Sequence, residues 1–516
     1  MKTVFLDGSS LTVPLVYDIA STEHHVALSS RAKKNVRAAR KLVEEWVHSD
    51  ETIYGVTTGF GELSNVRVSH HDIEKLQENL IFSHAAGAGE PLPYEVVRAM
   101  MALRVNALAK GFSGVRLETL NLLIGMLNKG LVPVIPSQGS VGASGDLVQL
   151  AHLVLAMMGR GSVYQKGKTE GSAKALRSAG LKPVRLKAKE GLALINGTQM
   201  MTAYAALAVR HAVDLCKVAD VISAISVEAL RGSDTPFDER IHRLRPYKGQ
   251  LASARNLRRL MHRSEIRESH RFGDPRVQDA YSLRCIPQVH GASRDAIDYV
   301  YEKVSIEINS ANDNPLIFPK DRVHLEGGNF HGQPMALAMD FLAIALAELA
   351  NISERRIERL VNGSLSGLPR FLTTKEGLNS GLMIAQYTAA SLVSENKVLC
   401  HPASVDSIPT SANQEDHNSM GSISAQKAWR VLHNVQTVLA IELLCSCQGL
   451  EFARRFNSDH TMKSGAGIES AFRTFRKLVP HLDDDRVLHV DIQKALKLVQ
   501  NGSILKAVEK EVGRLD

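Results

Sequence analysis

Three of the smallest side chains follow one another at Ala143, Ser144 and Gly145, inside GSVGASGDLVQL, which runs from Gly139 to Leu150. A run of this kind suits a small-residue turn at a helix start, a nucleophilic serine, or a backbone that reacts with itself. A hydrolase nucleophile elbow reads G-x-S-x-G, but here glycine follows Ser144 directly. A phosphate loop needs G-K-[ST] after its glycines, and none follows. No strand pattern leads into the stretch, because Pro133 and Pro136 interrupt LVPVIPSQGS. Self-reaction has a definite product. Attack of the Gly145 amide nitrogen on the Ala143 carbonyl closes a five-membered ring, and loss of that water and of the Ser144 hydroxyl leaves an exocyclic alkene. The result is a 4-methylideneimidazol-5-one, a strong electrophile. Glycine supplies an unhindered nitrogen and tolerates a strained turn, alanine leaves its carbonyl open, and serine supplies the leaving hydroxyl. A helix starting after Asp146 would turn its positive N-terminal end toward the ring. Asp146 itself either assists the closure or caps that helix. Taken alone, the tripeptide leaves the capping turn and the ring both open.

Other chemistry is thinner. TTGFGELS has Gly59 and Gly61 but Ser64 where a dinucleotide fingerprint wants a third glycine. There is no HExxH and no CxxC, and the pairs His24-His25 and His70-His71 read as surface residues, so no metal is expected.

The elements that must carry these residues are mostly helices. HDIEKLQENLIFSHAAGAG puts Ile73, Leu76, Leu80 and His84 on one face. DLVQLAHLVLAMMG does the same for Leu147, Leu150, Val154 and Met158, with Gly159 as a stop. Three longer apolar helices are expected, from Gln333 onward, in LMIAQYTAASLVSENKVL, and in SAQKAWRVLHNVQTVLAIELLCSCQGLEFARRF. They lack heptad regularity, which points to a buried bundle. GSVYQKGKT and LKPVRLKAKEGLALI are candidate hairpins. A boundary near residue 200 divides a loop-rich, mixed N-terminal domain (1–200) from a long-helix bundle (201–516) that would form the core of an oligomer.

The totals agree with a globular chain. Of its 516 residues 44% are hydrophobic and 22% charged, which excludes a disordered or fibrous class. The net charge of +8 is mild for this size. Basic residues crowd 240–276, but without interleaved aromatics or a zinc-finger spacing. That segment reads as a solvated helix face or subunit contact, and no nucleic-acid partner is expected. The five cysteines form no disulfide framework and read as reduced thiols of a cytoplasmic protein. No eighteen consecutive apolar residues occur, so no membrane span is expected.

Nine motifs, in order, tie the chain to a family: YGVTTGFGELSNV, NLIFSHAAGAGEP, GSVGASGDL, EGLALINGTQMMTA, VQDAYSLRCIPQVHG, DNPLIFP, GGNFHGQP, LVSENK and HPASVDSIPTSANQEDH. They run from about Tyr54 to Met420 and resemble the aromatic amino acid ammonia-lyases, the histidine branch in particular. The resemblance implies a mainly α fold of fumarase/aspartase-like architecture, with a long central helical bundle and a smaller mixed N-terminal domain. It implies an electrophile made from Ala143-Ser144-Gly145, and a homotetramer whose active sites draw on three subunits. The implied activity is deamination of L-histidine to trans-urocanate and ammonium, the first step of histidine breakdown. The same chemistry on tyrosine or phenylalanine, or an aminomutase, is the alternative.

The resemblance also assigns roles. Tyr54 would be the base, its pKa lowered from about 10 by positive charge. Arg284 would clamp the substrate carboxylate through two parallel bonds, with Asn196 on the same carboxylate or the cofactor carbonyl. Gln278 and Tyr281 would contact the cofactor and assist proton handling, and Phe330 would shield the electrophile. His84 and Glu415 suit an imidazole, one hydrogen-bonding its ring nitrogen and the other accepting from its N–H. Thr57, Val148-Gln149 and Glu326 depart from the family pattern, as does the 245–250 segment.

Overall fold

The computed structural model describes residues 3–21, 24–48, 53, 58, 69, 72–456 and 458–516. The three long helices expected from the sequence are Gln333–Val361, Met383–Leu399 and Gly421–Ala453. A fourth, Gln199–Ala229, starts inside the INGTQMM motif. Gln333–Val361 and Gly421–Ala453 are long and apolar enough to cross a membrane. Their most apolar stretches are nevertheless 67% and 83% buried within the protein, as befits helices that are apolar on every side.

The chain forms two compact units that interleave in sequence. One comprises Met1–Arg210, Val300–Asp340 and Pro402–Gln426; the other comprises His211–Tyr299, Phe341–His401 and Lys427–Asp516. The first passage between them falls near the boundary read at residue 200, and two later segments return to the first unit.

In the first unit the helix Tyr94–Ala109 is buried from Val96 to its end, Arg98, Arg104 and Asn106 included. It packs against Val13–Ser21 and Leu117–Asn128. Ile73–His84 buries Ile73, Gln77, Leu80 and Ile81. Gln77 takes the place expected for Leu76 because its side-chain oxygen accepts from the Gly191 amide at 2.8 Å. The hairpin expected in GSVYQKGKT is Ser162–Gln165 against Lys168–Gly171. The proline-broken stretch does form short strands, contrary to expectation. Val132–Pro133 pairs with Ser162–Gln165, and Pro136–Gln138 pairs with Ala88–Pro91. Both prolines sit on edge strands, where no ladder donor is demanded of them. The second expected hairpin is absent; residues 181–189 are irregular and lead into the helix Glu190–Ile195. Side-chain bonds fix that segment instead. The buried Glu190 carboxylate accepts from Thr119 Oγ1 at 2.6 Å, Arg116 at 2.7 Å and the Lys187 amide at 2.9 Å.

The second unit is pinned by two buried charge clusters. Arg356 pairs with Glu442 at 2.5 and 2.9 Å, and Ser226 and Ser353 each donate to Glu442 at 2.6 Å. Asp220 accepts from Arg294 at 2.6 Å, Ser253 at 2.7 Å and Asn256 at 2.9 Å, and lies 2.8 Å from His290 Nδ1. Much of the arginine-rich segment ties down its own loops. Arg267 pairs with Asp234 at 2.7 Å, and Arg258 donates to Phe237 O at 2.7 Å.

Candidate active site

The tripeptide lies just before the helix Leu147–Met157, with Ala143 and Gly145 buried and Ser144 half-buried. Gly145 has φ +77°, and a Cβ there would lie 2.1 Å from Gly197 O. Only glycine satisfies both conditions. The two backbones pair in parallel: Asp146 N donates to Gly197 O at 2.8 Å, and Gly197 N donates to Ser144 O at 3.3 Å. These bonds leave the Gly145 amide out of the pairing, available as a nucleophile. The turn is closed on its other side by serines. Ser140 Oγ donates to Gly145 O at 3.0 Å, and Ser419 Oγ donates to Gly142 O at 2.9 Å. This cradle fits a ring built on 143–145: at Gly145 its tightest contact is backbone against the Gly197 backbone, with no side chain between them.

Asp146 does not cap the helix that follows it. Its Oδ2 accepts from the Met200 and Met201 amides at 2.8 and 3.1 Å, and its Oδ1 accepts from Ser422 Oγ at 2.9 Å. It therefore binds the start of the Gln199–Ala229 helix to the tripeptide. Burial pushes its carboxyl up to about 6, against the opposing pull of those hydrogen bonds.

Ser144 Oγ donates to Glu415 Oε1 at 3.2 Å, and Thr410 Oγ1 donates to Glu415 Oε2 at 2.8 Å. Glu415 stays in place because 410 and 415 pair in both directions, at 3.0 and 3.3 Å. His84 ends the helix Ile73–His84 with its Nδ1 3.0 Å from Ser83 Oγ. Burial lowers its pKa, and the charge of Glu415 partly offsets that. Asn196 is buried, with Nδ2 donating to Asn314 O at 3.2 Å and Oδ1 left without a partner. Phe330 is half-buried, in the loop that ends at Gly332. A Cβ on Gly332 would lie 2.7 Å from Ser419 Oγ, so this loop rests on the one that holds Gly142.

The first unit thus gathers 143–145, His84, Asn196, Glu415 and the Phe330 loop. Tyr54 and Thr57 lie outside the described residues. Gln278, Tyr281 and Arg284 belong to the second unit. There Tyr281 is 71% exposed, and the Arg284 guanidinium lies 4.6 Å from the Tyr281 ring centroid. Arg284 Nε is buried without a partner. Of the departures, Val148 packs its Cγ1 where a Cβ on Gly139 would come within 2.9 Å, and Glu326 is exposed. Among the described residues no group of three His, Cys, Asp or Glu side chains is arranged to hold a metal.

Sequence reasoning missed Ser140, Gly142, Gly197, Thr410, Ser419 and Ser422. Small residues are common; Gly197 and Ser419 meet backbone far away in sequence, and the near contacts of Ser140 and Thr410 are side-chain bonds that periodicity does not show. The one available signal was that glycine and serine recur in the same motifs as the candidates.

A family profile described as aromatic amino acid lyase matches residues 11–477. A histidine ammonia-lyase of Caldanaerobacter subterraneus subsp. tengcongensis is 56% identical, over 99% of each chain. One of Alkaliphilus oremlandii is 54% identical, also over 99% of each. Among solved structures, histidine ammonia-lyase from Trypanosoma cruzi aligns with TM-score 0.91 and 46% identity, covering 99% of this chain and 96% of that one. Tyrosine aminomutase from Streptomyces globisporus aligns with TM-score 0.92 and 39% identity, over 99% of each. The mainly helical fold, the small-residue cradle and these likenesses agree: the chain belongs to the aromatic amino acid lyase family, and is a carbon–nitrogen lyase.

Proposed function

We propose that this lyase eliminates ammonium from L-histidine to give trans-urocanate, using an electrophile formed from Ala143, Ser144 and Gly145. Membership of the family supports a 4-methylideneimidazol-5-one as the cofactor. When formed, that group takes up the substrate and makes its amine a better leaving group.

The observation that carries the histidine reading is the convergence of Ser144, Glu415 and His84. Glu415 contacts the serine hydroxyl at 3.2 Å, and its charge is felt by His84. The Ser83 hydroxyl donates to Leu80 O at 3.1 Å and lies 3.0 Å from His84 Nδ1, so the tautomer protonated at Nδ1 leaves Nε2 as the acceptor. Burial favours the neutral ring, against the Leu80 carbonyl and the Glu415 charge. A neutral imidazole acceptor and a carboxylate together suit a substrate imidazole, which has one N–H to donate and a second nitrogen that a proton can satisfy. A phenyl ring has nothing to offer either group.

Tyr54 is assigned the abstraction of the β-proton and Arg284 the substrate carboxylate, with Asn196 orienting the same end. Phe330 covers the electrophile. Gln278 and Tyr281 assist from a neighbouring subunit. The exposure of Tyr281 supports that reading, since a homotetramer in the cytoplasm would cover it with another chain's site. No nucleic acid or membrane takes part.

The test is direct. Purified protein is mixed with histidine, tyrosine or phenylalanine alone while near-ultraviolet absorbance is followed. A rise with histidine only is expected. Faster turnover of tyrosine, or a β-amino acid product, would overturn the assignment. The intact mass of the same preparation should fall short of the unmodified chain by two waters.

A further inference from the structure

Arg104 lies in the middle of the buried helix Tyr94–Ala109 and is itself wholly buried. Its Nη1 donates to Gln199 Oε1 at 2.6 Å. Its Nη2 donates to Asn196 O at 3.0 Å and also to Ala193 O. A Cβ on Gly197 would fall 2.4 Å from Nη1, so the guanidinium lies directly against the Gly197 backbone. A buried cation normally meets a carboxylate. This one spends its bonds on two peptide carbonyls and a neutral amide, and the nearby Asp313 is bonded instead to the buried Lys189 at 2.8 Å. Lowered by burial to about 10, the group still carries its charge at neutral pH.

All of these contacts converge on the peptides around Asn196 and Gly197, the same peptides that pair with Ser144 and Asp146. Ring closure forms a bond from the Gly145 nitrogen to the Ala143 carbonyl carbon. It releases the Ala143 carbonyl oxygen with the Gly145 and Ser144 amide hydrogens as one water, leaving a double bond from the Ala143 carbon to the Ser144 nitrogen, and the Ser144 α-hydrogen and hydroxyl as a second. The step needs the tripeptide backbone held bent while these bonds form. We propose that Arg104 is the positioning residue for this closure: its planar fork locks the Asn196–Gly197 backbone, and that backbone holds Gly145 bent toward Ala143. The inference rests on the ring reading of 143–145. A lysine does not replace the fork, because its single nitrogen cannot span acceptors set apart along 193–199.

The experiment compares intact masses and melting profiles of the full chain for wild type, Arg104→Lys and Arg104→Met. Wild type should lack two waters. In Arg104→Lys the dehydrated fraction should fall about tenfold while the melting profile stays close to wild type, and in Arg104→Met it should fall at least as far. A merely structural role would lower the melting temperature without changing the dehydrated fraction of folded protein. Folded Arg104→Lys that has lost both waters in full overturns the proposal. Should neither variant accumulate, Gln199→Met decides, since it removes one acceptor and keeps the arginine. An intermediate dehydrated fraction is expected there, and complete dehydration counts against the proposal. A wild-type chain that retains both waters refutes the ring reading instead.

Discussion

Gly145→Ala tests the cradle at its tightest point. The residue sits at φ +77°, a left-handed conformation that costs a non-glycine residue about 1–2 kcal/mol. The added Cβ would lie 2.1 Å from Gly197 O and must retreat by more than 1 Å to reach ordinary contact. A retreat of that size breaks both bonds of the pairing, Asp146 N to Gly197 O at 2.8 Å and Gly197 N to Ser144 O at 3.3 Å. Each is worth about 0.5–1.5 kcal/mol net. The local loss is therefore about 2–5 kcal/mol. A displacement near 1 Å also costs closure on the order of 10²-fold in rate. Gly180→Ala supplies the control, because Gly180 has φ +68° with nothing within 4 Å of a Cβ, and so carries only the conformational cost. The assay is melting temperature and intact mass of both variants. Gly145→Ala should melt well below Gly180→Ala and retain its waters. A Gly145→Ala chain that is fully dehydrated and melts with the control would refute the argument that the Gly145–Gly197 contact shapes the tripeptide.

Three further outcomes follow from the geometry. Asp146 titrates near 6 in the fold against 3.8 ordinarily, so the native state holds the proton more tightly, and stability contributed here is lost as pH rises from about 4 through 6. At about 1.4 kcal/mol per unit this is roughly 3 kcal/mol; Asp146→Asn should lack that slope in melting against pH, and an identical slope in both proteins would contradict it. Glu415→Gln should still form the ring, as read by mass, but lose about 10–10²-fold in kcat/KM for histidine, the worth of one hydrogen bond to a charged group; unchanged kcat/KM would remove Glu415 from imidazole recognition. Arg356→Met should cost about 3–5 kcal/mol by leaving Glu442 buried and unpaired. The double change with Glu442→Met should recover part of that in denaturant titrations, and no recovery would mean that packing, not charge, is lost.

The parts of the molecule legible in sequence are those governed by local periodicity. Gln333–Val361, Met383–Leu399 and Gly421–Ala453 declared themselves through long apolar runs. The Ser162–Gly171 hairpin did so through its Lys166-Gly167 turn, both residues at positive φ. The small-residue tripeptide stood out by residue type but left a capping turn and a ring both open, and only the family motifs singled out Glu415 and His84 beside it. What stayed hidden depends on distant partners. No periodicity says that Val300–Asp340 and Pro402–Gln426 return to the first unit. Asp146 looked like a cap for its own helix, because nothing local reveals that Met200 and Met201 amides lie within reach. Arg104 has no complementary acid to flag it, since its acceptors are two peptide carbonyls and an amide.

The same physics explains which positions of the site tolerate change. Gly145, Gly142 and Gly332 come from two separate segments, and an added Cβ would lie 2.1, 2.2 and 2.7 Å from its nearest neighbour. Those neighbours are the Gly197 carbonyl for the first and Ser419 Oγ for the other two. The turn around the tripeptide is held by one backbone carbonyl and one small hydroxyl, and neither leaves room for an added carbon. Volume, not polarity, is therefore the property under constraint around 142–145. A serine at 142 should be as damaging there as a valine, since both add the Cβ that Ser419 Oγ excludes.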